Sequence, residues 1–108
     1  HDEGLCRNAD ATAPHSPGPT VDCIGYLLGN GITGWGNQWI ATDAGQAGGM
    51  NPPYPAHNLL DKANRYGLAS LANLDRLPPK GAILIAAPLK IKNGTGSPIR
   101  ALALVPKG

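Results

Sequence analysis

Two apolar segments flank a glycine-rich turn near the end of the sequence, and this pair constrains the fold more than any other feature. The first segment, residues 82–91, is a nearly all-apolar run with alternating isoleucines, which predicts a strand buried on both faces. Pro88 limits the far half of this strand to a sheet edge or a bulge. Residues 97–105 alternate between an apolar face and a face that carries Arg100, Leu102 and Leu104, and residues 93–96, Asn-Gly-Thr-Gly, are a strong turn signal. We therefore expect a β-hairpin within residues 82–105.

Helical patterns precede this predicted hairpin. Thr20 is a suitable N-cap for a helix that a Gly29-Asn30-Gly31 stop would end. Residues 58–65 predict a second, short helix, with Gly67 as its stop signal. The apolar residues of the first helix share one helical face: Val21, Ile24, Leu27 and Leu28. Helices followed by a hairpin predict an α/β or α+β fold.

The middle of the chain is irregular. The sequence holds 15 glycines and 11 prolines, and many of them fall in residues 41–56, which cannot form a regular helix or strand. A long irregular loop in a small domain is typically functional or disordered, and the flanking aromatic residues and His57 favour a functional loop. Residues 32–39 suggest a short strand, whereas residues 68–74 fit either a strand or a helix.

Composition excludes several classes of protein. With 108 residues the chain has room for one domain at most, and we expect an irregular segment over residues 1–19 and a folded part over residues 20–108. The net charge of +2 comes without a basic stripe, which argues against nucleic-acid binding. No apolar run is long enough for a membrane span.

The two cysteines, Cys6 and Cys23, fit no zinc motif. We interpret them as thiols, although a bridge between them remains an alternative. Thiols favour a reducing, cytoplasmic compartment.

Few residues are candidates for chemistry. His57 follows a Tyr-Pro-Ala sequence that restrains the backbone ahead of a predicted helix, as a metal ligand or general base requires, although a histidine that caps its own helix would look the same. Asp43 fits a metal ligand, a residue that orients a histidine, or a simple turn former. The aromatic residues fit either the walls of a substrate pocket or an aromatic core: Trp35, Trp39 and Tyr54.

Four motifs, taken in order, resemble the C-terminal half of the cyclase family of hydrolases, which includes kynurenine formamidases, isatin hydrolases and related lactam- and lactone-opening enzymes. The resemblance covers about residues 20–106. Each motif alone is weak, but their order is specific. They are Pro55-Ala56-His57-Asn58-Leu59-Leu60, the LANLDRLP run of residues 71–78, the AAPLKI run of residues 86–91, and the GSPIRA run of residues 96–101.

The resemblance implies the C-terminal part of a swivelling β/β/α domain and a metal-dependent hydrolase of amide, lactam, imide or lactone bonds. The family's His-x-x-x-His-x-Asp metal motif lies in its N-terminal half, and no such run occurs in this sequence. We therefore expect the N-terminal half, as a separate chain or a further segment, to be a partner that supplies the metal ligands. A divalent ion, manganese or zinc, would activate a water molecule for attack on the substrate carbonyl.

The resemblance also implies roles for single residues. His57 matches the histidine of the family's Pro-Ala-His motif, which binds a second metal in formamidases and is an outer-shell residue in isatin hydrolases. Where formamidases carry a ligating glutamate, this chain has Ala69, which cannot bind a metal. The pattern is therefore closer to the isatin hydrolase branch, in which a serine at the position of Ser70 takes part in proton transfer. His57 is then expected to shuttle protons and Ser70 to relay them.

Two functional interpretations follow. In the first, the chain is one half of a metal-dependent hydrolase whose N-terminal half supplies the metal ligands. The enzyme acts on a small cyclic amide or lactone and forms a homo-oligomer, as family members usually do. In the second, the chain is a metal-free paralogue or subunit with a binding or structural role, and Ala69 is the residue that favours it.

Overall fold

The computed structural model describes residues 16–107, which divide into two compact units of residues 16–72 and 73–107. Each unit mixes helical and strand segments, which confirms the predicted α/β or α+β class. Of the irregular N-terminal segment, only residues 16–19 are described. They form no helix or strand, yet Ser16 and Pro19 are buried, and the carbonyl of Ser16 accepts a hydrogen bond from the amide of Gly45 at 3.0 Å.

Helix α1, Val21–Gly29, forms where its pattern predicts it. Thr20 Oγ1 accepts a hydrogen bond from the main-chain nitrogen of Cys23 at 3.1 Å, which confirms the predicted N-cap. The helix ends at Gly29 with Asn30 as its C-cap, and Gly31 follows with a φ of +75°, a conformation that favours glycine. Helix α1 is therefore delimited by its own local sequence.

Helix α2, Pro55–Lys62, begins earlier than residues 58–65 predict. Proline at its first position supplies a helical φ and lacks the N–H that would have no partner there. His57 therefore lies in the first turn of α2 and does not precede the helix. The two helices pack together through buried residues that form the core of the first unit: Ile24, Ala56 and Leu60.

The first unit also contains a small parallel sheet. Strand β1, Gly34–Gly36, pairs with β2, Tyr66–Leu68, and Trp35 lies opposite Gly67. The expectation that Gly67 stops helix α2 is wrong, because the helix has already ended at Lys62 and Gly67 is a strand residue.

Residues 41–54 are irregular, as their composition predicts, but the expectation is wrong for Pro55 and Ala56, which begin helix α2. They contain one short 3-10 turn, Ala47–Gly49, and a cis peptide bond between Asn51 and Pro52. Residues 68–74, which fit either a strand or a helix by sequence, form only the last residue of β2 and the first of a 3-10 turn, Leu74–Arg76. Irregular backbone thus connects most of the first unit's elements.

The second unit contains the predicted hairpin in shortened form. Strand β3, Ile83–Ala86, pairs antiparallel with β4, Ala101–Leu104, so that Ile83 lies opposite Leu104. Strand β3 ends two residues before Pro88, as expected from the missing amide donor. The connection is not the expected tight turn: residues 87–100 lie between the strands, and Asn93 is in the left-handed region with a φ of +58°.

Strand β3 is not buried on both faces. Ile83 is 63% exposed on one face of the hairpin and Leu84 is 45% exposed on the other. Within residues 73–107 the hairpin has only these two short strands, so that neither of its faces is covered. The expected double burial is therefore wrong for the chain by itself.

None of the helices within residues 16–107 has the length and the apolar character that a membrane-spanning helix needs.

Candidate functional site

A buried carboxylate lies at the start of helix α2. Asp43 is 2% exposed, and its Oδ1 atom accepts a hydrogen bond from the amide of Ala56 at 2.6 Å. Its Oδ2 atom accepts a second from the amide of His57 at 2.9 Å. The first amides of a helix have no partner within the helix, and a negative charge is favourable at its N-terminus. Asp43 thus caps α2 from an irregular loop far away in sequence.

The same carboxylate contacts the imidazole of His57. Oδ2 of Asp43 lies 2.6 Å from Nδ1, a short distance typical of a charge-assisted hydrogen bond. The His57 side chain is 57% exposed, although its carboxylate partner is buried. The structure therefore supports one of the three alternatives for Asp43, that of a residue that orients a histidine. The Nδ1 atom of His57 faces the protein, and the rest of the His57 ring remains accessible to solvent.

Thr42 supplies a hydroxyl to the same site. Its Oγ1 atom lies 3.2 Å from Nδ1 and 3.3 Å from Nε2 of His57. An oxygen atom almost equidistant from both ring nitrogens lies outside the plane of the ring. It is therefore not aligned with the lone pair or the N–H bond of either nitrogen, because both lie in that plane. Thr42 is therefore placed to restrain the ring and not to exchange a proton with it in line. A hydroxyl–imidazole–carboxylate triad would need the hydroxyl in line with Nε2.

Packing and hydrogen bonds fix Thr42 in turn. Thr42 is 5% exposed, and its methyl group lies against Gly67, where an added Cβ would approach it to 2.9 Å. The side-chain amide of Asn37, itself buried, donates hydrogen bonds to the carbonyls of Ala41 at 3.0 Å and Thr42 at 3.4 Å. Strand β2 and the segment after β1 thus hold the loop that carries both Thr42 and Asp43.

Ser70, the expected proton relay, is bonded elsewhere. Its amide donates to the carbonyl of Trp39 at 2.6 Å, and its hydroxyl lies 3.4 Å from the same oxygen. Ser70 is exposed and has a φ of +56°, which is uncommon for a residue other than glycine. The hydrogen bonds of Ser70 tie it to Trp39, and neither of them involves His57.

The three aromatic candidates occupy different environments. Trp35 packs against the core of the first unit, and its buried Nε1 atom has no hydrogen-bond partner among the described residues. Trp39 is half-buried, whereas Tyr54 is 52% exposed and has a φ of +48° at the residue before α2. Trp35 therefore fits the alternative of an aromatic core, and Tyr54 is the most accessible of the three.

The described residues do not assemble a metal site by themselves. Within residues 16–107, no group of three or more histidine, cysteine, aspartate or glutamate side chains is placed to hold a metal ion. The Ala69 side chain has no ligating atom, and Cys23 is a half-buried free thiol. Cys6 lies outside the described residues. At most, His57 offers one ligand atom, Nε2.

The sequence predicts His57 as a site residue but is compatible with three roles for Asp43. Fourteen residues separate the two side chains, and no helical or strand period relates residues so far apart across an irregular loop. One sequence signal does indicate the contact. The N-cap of α2 is Tyr54, which is not one of the usual capping residues serine, threonine, asparagine and aspartate. An acceptor for the free amides of α2 must therefore come from elsewhere.

Comparison with known proteins finds a curated relative of the chain and several similar solved structures. No protein-family model matches the chain. The chain is 74% identical over 106 residues to an isatin hydrolase of Roseibium aggregatum, an alignment that covers 98% of the chain and 40% of that protein. The chain therefore spans about 40% of the length of the curated relative it matches.

Solved structures agree with the sequence match. An isatin hydrolase crystallised with the product analogue thioisatinate superposes with a TM-score of 0.89 at 74% identity, over 98% of this chain and 40% of that one. Isatin hydrolase A from Labrenzia aggregata, bound to benzyl benzoate, gives 0.87 at 59% identity, over 94% and 39% of the two chains. Isatin hydrolase A from Ralstonia solanacearum gives 0.87 at 50% identity, over 94% and 38%. In sequence and in fold, the chain therefore corresponds to the C-terminal portion of the isatin hydrolases, which confirms its resemblance to the cyclase family.

Proposed function

We propose that this chain is part of a metal-dependent hydrolase that opens a cyclic amide, with isatin or a close analogue as its substrate. The observation that carries the proposal is the 74% identity to an isatin hydrolase over 98% of the chain. The site around His57 adds independent support, since an exposed imidazole on a buried carboxylate is a common arrangement for a group that moves protons or binds a metal.

His57 is the residue to which we assign proton transfer. Its Nδ1 atom is engaged by Asp43, so Nε2 is the ring atom left to exchange a proton or to bind an outer ligand. Opening a cyclic amide requires a proton for the leaving nitrogen, and an imidazole can both accept and donate a proton. No other histidine lies within residues 16–107.

Ser70 and the aromatic residues have supporting roles in this proposal. Ser70 lies on an exposed, left-handed backbone position beside Trp39, where a hydroxyl can rotate between a carbonyl acceptor and a proton donor. Tyr54 and Trp39 flank the segments that carry His57 and Ser70, and we assign them to the walls of the substrate pocket. We also retain Trp35 as a wall residue, although its packing against the core supports a structural role equally well.

The metal requires a second polypeptide segment. Because residues 16–107 hold no cluster of three ligands, we propose that a segment equivalent to the N-terminal part of the relatives supplies the first ligands to a manganese or zinc ion. That segment would also cover the exposed apolar faces of the β3–β4 hairpin, which resemble a protein interior more than a surface.

Assembly and location complete the proposal. We propose that the completed enzyme is a homo-oligomer, as the family resemblance implies. The free thiol of Cys23 supports a reducing compartment, and we place the enzyme in the cytoplasm.

A chimera tests the proposal without depending on where the natural protein begins. In the Roseibium aggregatum isatin hydrolase, the matching 40% is replaced by this chain, and the loss of isatin is followed by absorbance together with the metal content. We expect hydrolysis of isatin and stoichiometric metal, with manganese or zinc as the ion recovered. A folded chimera that holds metal but leaves isatin, related lactams and lactones intact would contradict the proposed reaction.

The same experiment separates the second candidate function. Ala69, which replaces a potential ligand with a methyl group, favours a binding or structural role without metal. A chimera that binds isatin but retains no metal and no activity would support that role.

A further inference from the structure

We infer that Asp43 is a positioning residue that holds neutral His57 in the form with its hydrogen on Nδ1, so that the lone pair of Nε2 is the reactive position of the ring. The inference deepens the function proposed above, because it names the atom through which His57 would act. The proton arrangement itself is a property of this chain and needs no substrate or metal.

The hydrogen bonds of the carboxylate carry the first step. Both oxygens of Asp43 already accept from backbone amides, Oδ1 from Ala56 and Oδ2 from His57. An ionised carboxylate has acceptor sites only, so any ring nitrogen beside it must donate. Nδ1 lies 2.6 Å from Oδ2 and is therefore the nitrogen that carries hydrogen. Since a neutral imidazole has one N–H, Nε2 is left with a lone pair.

The second step is that the ring cannot readily exchange its two nitrogens. The Oδ2 atom of Asp43 binds both the amide and the ring of His57, so the side chain is anchored to the same atom as its own backbone. Thr42 lies against the ring with its Oγ1 atom 3.2 Å from Nδ1. Asp43 itself is 2% exposed and is held by the helix that it caps.

The consequence is a difference in exposure between the two ring nitrogens. The carboxylate that engages Nδ1 is buried, whereas the His57 side chain is 57% exposed. A histidine whose Nδ1–H is bonded to a carboxylate is held in one orientation and presents Nε2 as its proton-accepting and ligating atom. Asp43 therefore contacts neither substrate nor metal in this account, but it determines how His57 meets them.

Two-bond 1H–15N NMR correlations of the histidine rings test the inference on the full 108-residue chain, since they distinguish Nδ1–H from Nε2–H. The sequence has three histidines, and the signals of His57 are identified as those missing from the spectrum of the His57→Gln variant. In alkaline solution, where the rings are neutral, we expect His57 in the Nδ1–H form and the other two mainly in the Nε2–H form that free imidazole side chains favour. An Nε2–H form at His57 in the unmodified chain would overturn the inference, whatever the variants show.

Three variants separate positioning from a merely structural role. Asp43→Asn replaces one acceptor oxygen with a donor, and we expect the Nδ1–H population of His57 to fall. Asp61→Asn changes an exposed carboxylate on the same helix, and Thr42→Val removes the hydroxyl at nearly constant shape; both should leave the Nδ1–H form dominant. A folded Asp43→Asn variant with an unchanged His57 spectrum would also overturn the inference. If Asp43→Asn does not fold, the spectrum of the unmodified chain still decides.

Discussion

The Oδ2 atom of Asp43 accepts hydrogen bonds from two atoms of His57, the main-chain nitrogen at 2.9 Å and the ring Nδ1 at 2.6 Å. One buried carboxylate therefore sets both the start of helix α2 and the orientation of the accessible imidazole. Changes that loosen this loop are expected to affect stability and the candidate site together.

Removing the Asp43 carboxylate should destabilise the chain. Asp43→Ala leaves the amide of Ala56, a fully buried residue, and the amide of His57 without acceptors. The loss of a helix cap and of buried hydrogen bonds predicts a decrease of about 2–3 kcal/mol in the free energy of unfolding. Urea denaturation followed by circular dichroism measures this difference.

Asp61→Ala is the matched control for Asp43→Ala. Asp61 lies on the same helix but is exposed, so its removal should change the free energy of unfolding by less than about 0.5 kcal/mol. Equal unfolding midpoints for the two variants would show that Asp43 does not cap α2.

A side chain at residue 67 should disturb Thr42. In Gly67→Ala the new Cβ would approach Cγ2 of Thr42 to 2.9 Å, and Thr42 is a short, buried side chain with little freedom to move. Overpacking of this kind predicts a loss of about 1–3 kcal/mol. Because Thr42 lies against the ring of His57, the ring resonances should shift as well, which an NMR spectrum of the variant would show. Unchanged stability and unchanged ring resonances would contradict the packing described here.

Alanine substitutions at two glycines of helix α1 and its end should change the stability of the chain in opposite directions. Gly25 is inside the helix with open space around it, so Gly25→Ala should stabilise the chain by about 0.5–1 kcal/mol. Gly31 also has open space but a φ of +75°, so Gly31→Ala should destabilise it by about 1 kcal/mol. Thermal melts of both variants test the assigned end of α1. Shifts of the same sign would be inconsistent with that end.

Local sequence was sufficient where local interactions determine structure. The Thr20 cap, the apolar face of α1 and the limit that Pro88 imposes on β3 all follow from residues within a few positions of one another. The predicted start of α2 at residue 58 is three residues too late, because Pro55 fits a loop by its sequence but is also well suited to the first helical position.

Longer-range features could not be derived in the same way. The contact between Asp43 and His57 crosses an irregular loop, and the bonds of Ser70 reach back to Trp39. Both depend on how the loops fold over α2 and β2, which no period in the sequence records. Strand β3 shows the opposite case: its composition predicts burial that residues 16–107 alone do not provide.

The exposed hairpin gives a prediction for the chimera described above. Ile83 is 63% exposed in this chain, so Ile83→Lys should lower its free energy of unfolding by no more than about 1 kcal/mol. In the chimera with the Roseibium aggregatum protein, the same lysine would be buried against the added segment and should cost about 3 kcal/mol or prevent assembly.

Lys92→Ala is the control for the hairpin prediction, because Lys92 is exposed in the connection between the strands. It should be tolerated in both the chain and the chimera. If Ile83→Lys is also tolerated in the chimera, as judged by its thermal melt and elution volume, the hairpin is not covered by the added segment.

The turnover of isatin by the chimera and by two of its variants shows whether His57 transfers a proton in the reaction. His57→Gln removes the proposed proton-transfer group, and we expect a fall in kcat of about 100-fold or more with metal content retained. Asn58→Ala, at the neighbouring exposed position of the same helix, should leave kcat unchanged. A His57→Gln chimera that is folded, loaded with metal and as active as the Asn58→Ala chimera would contradict the account.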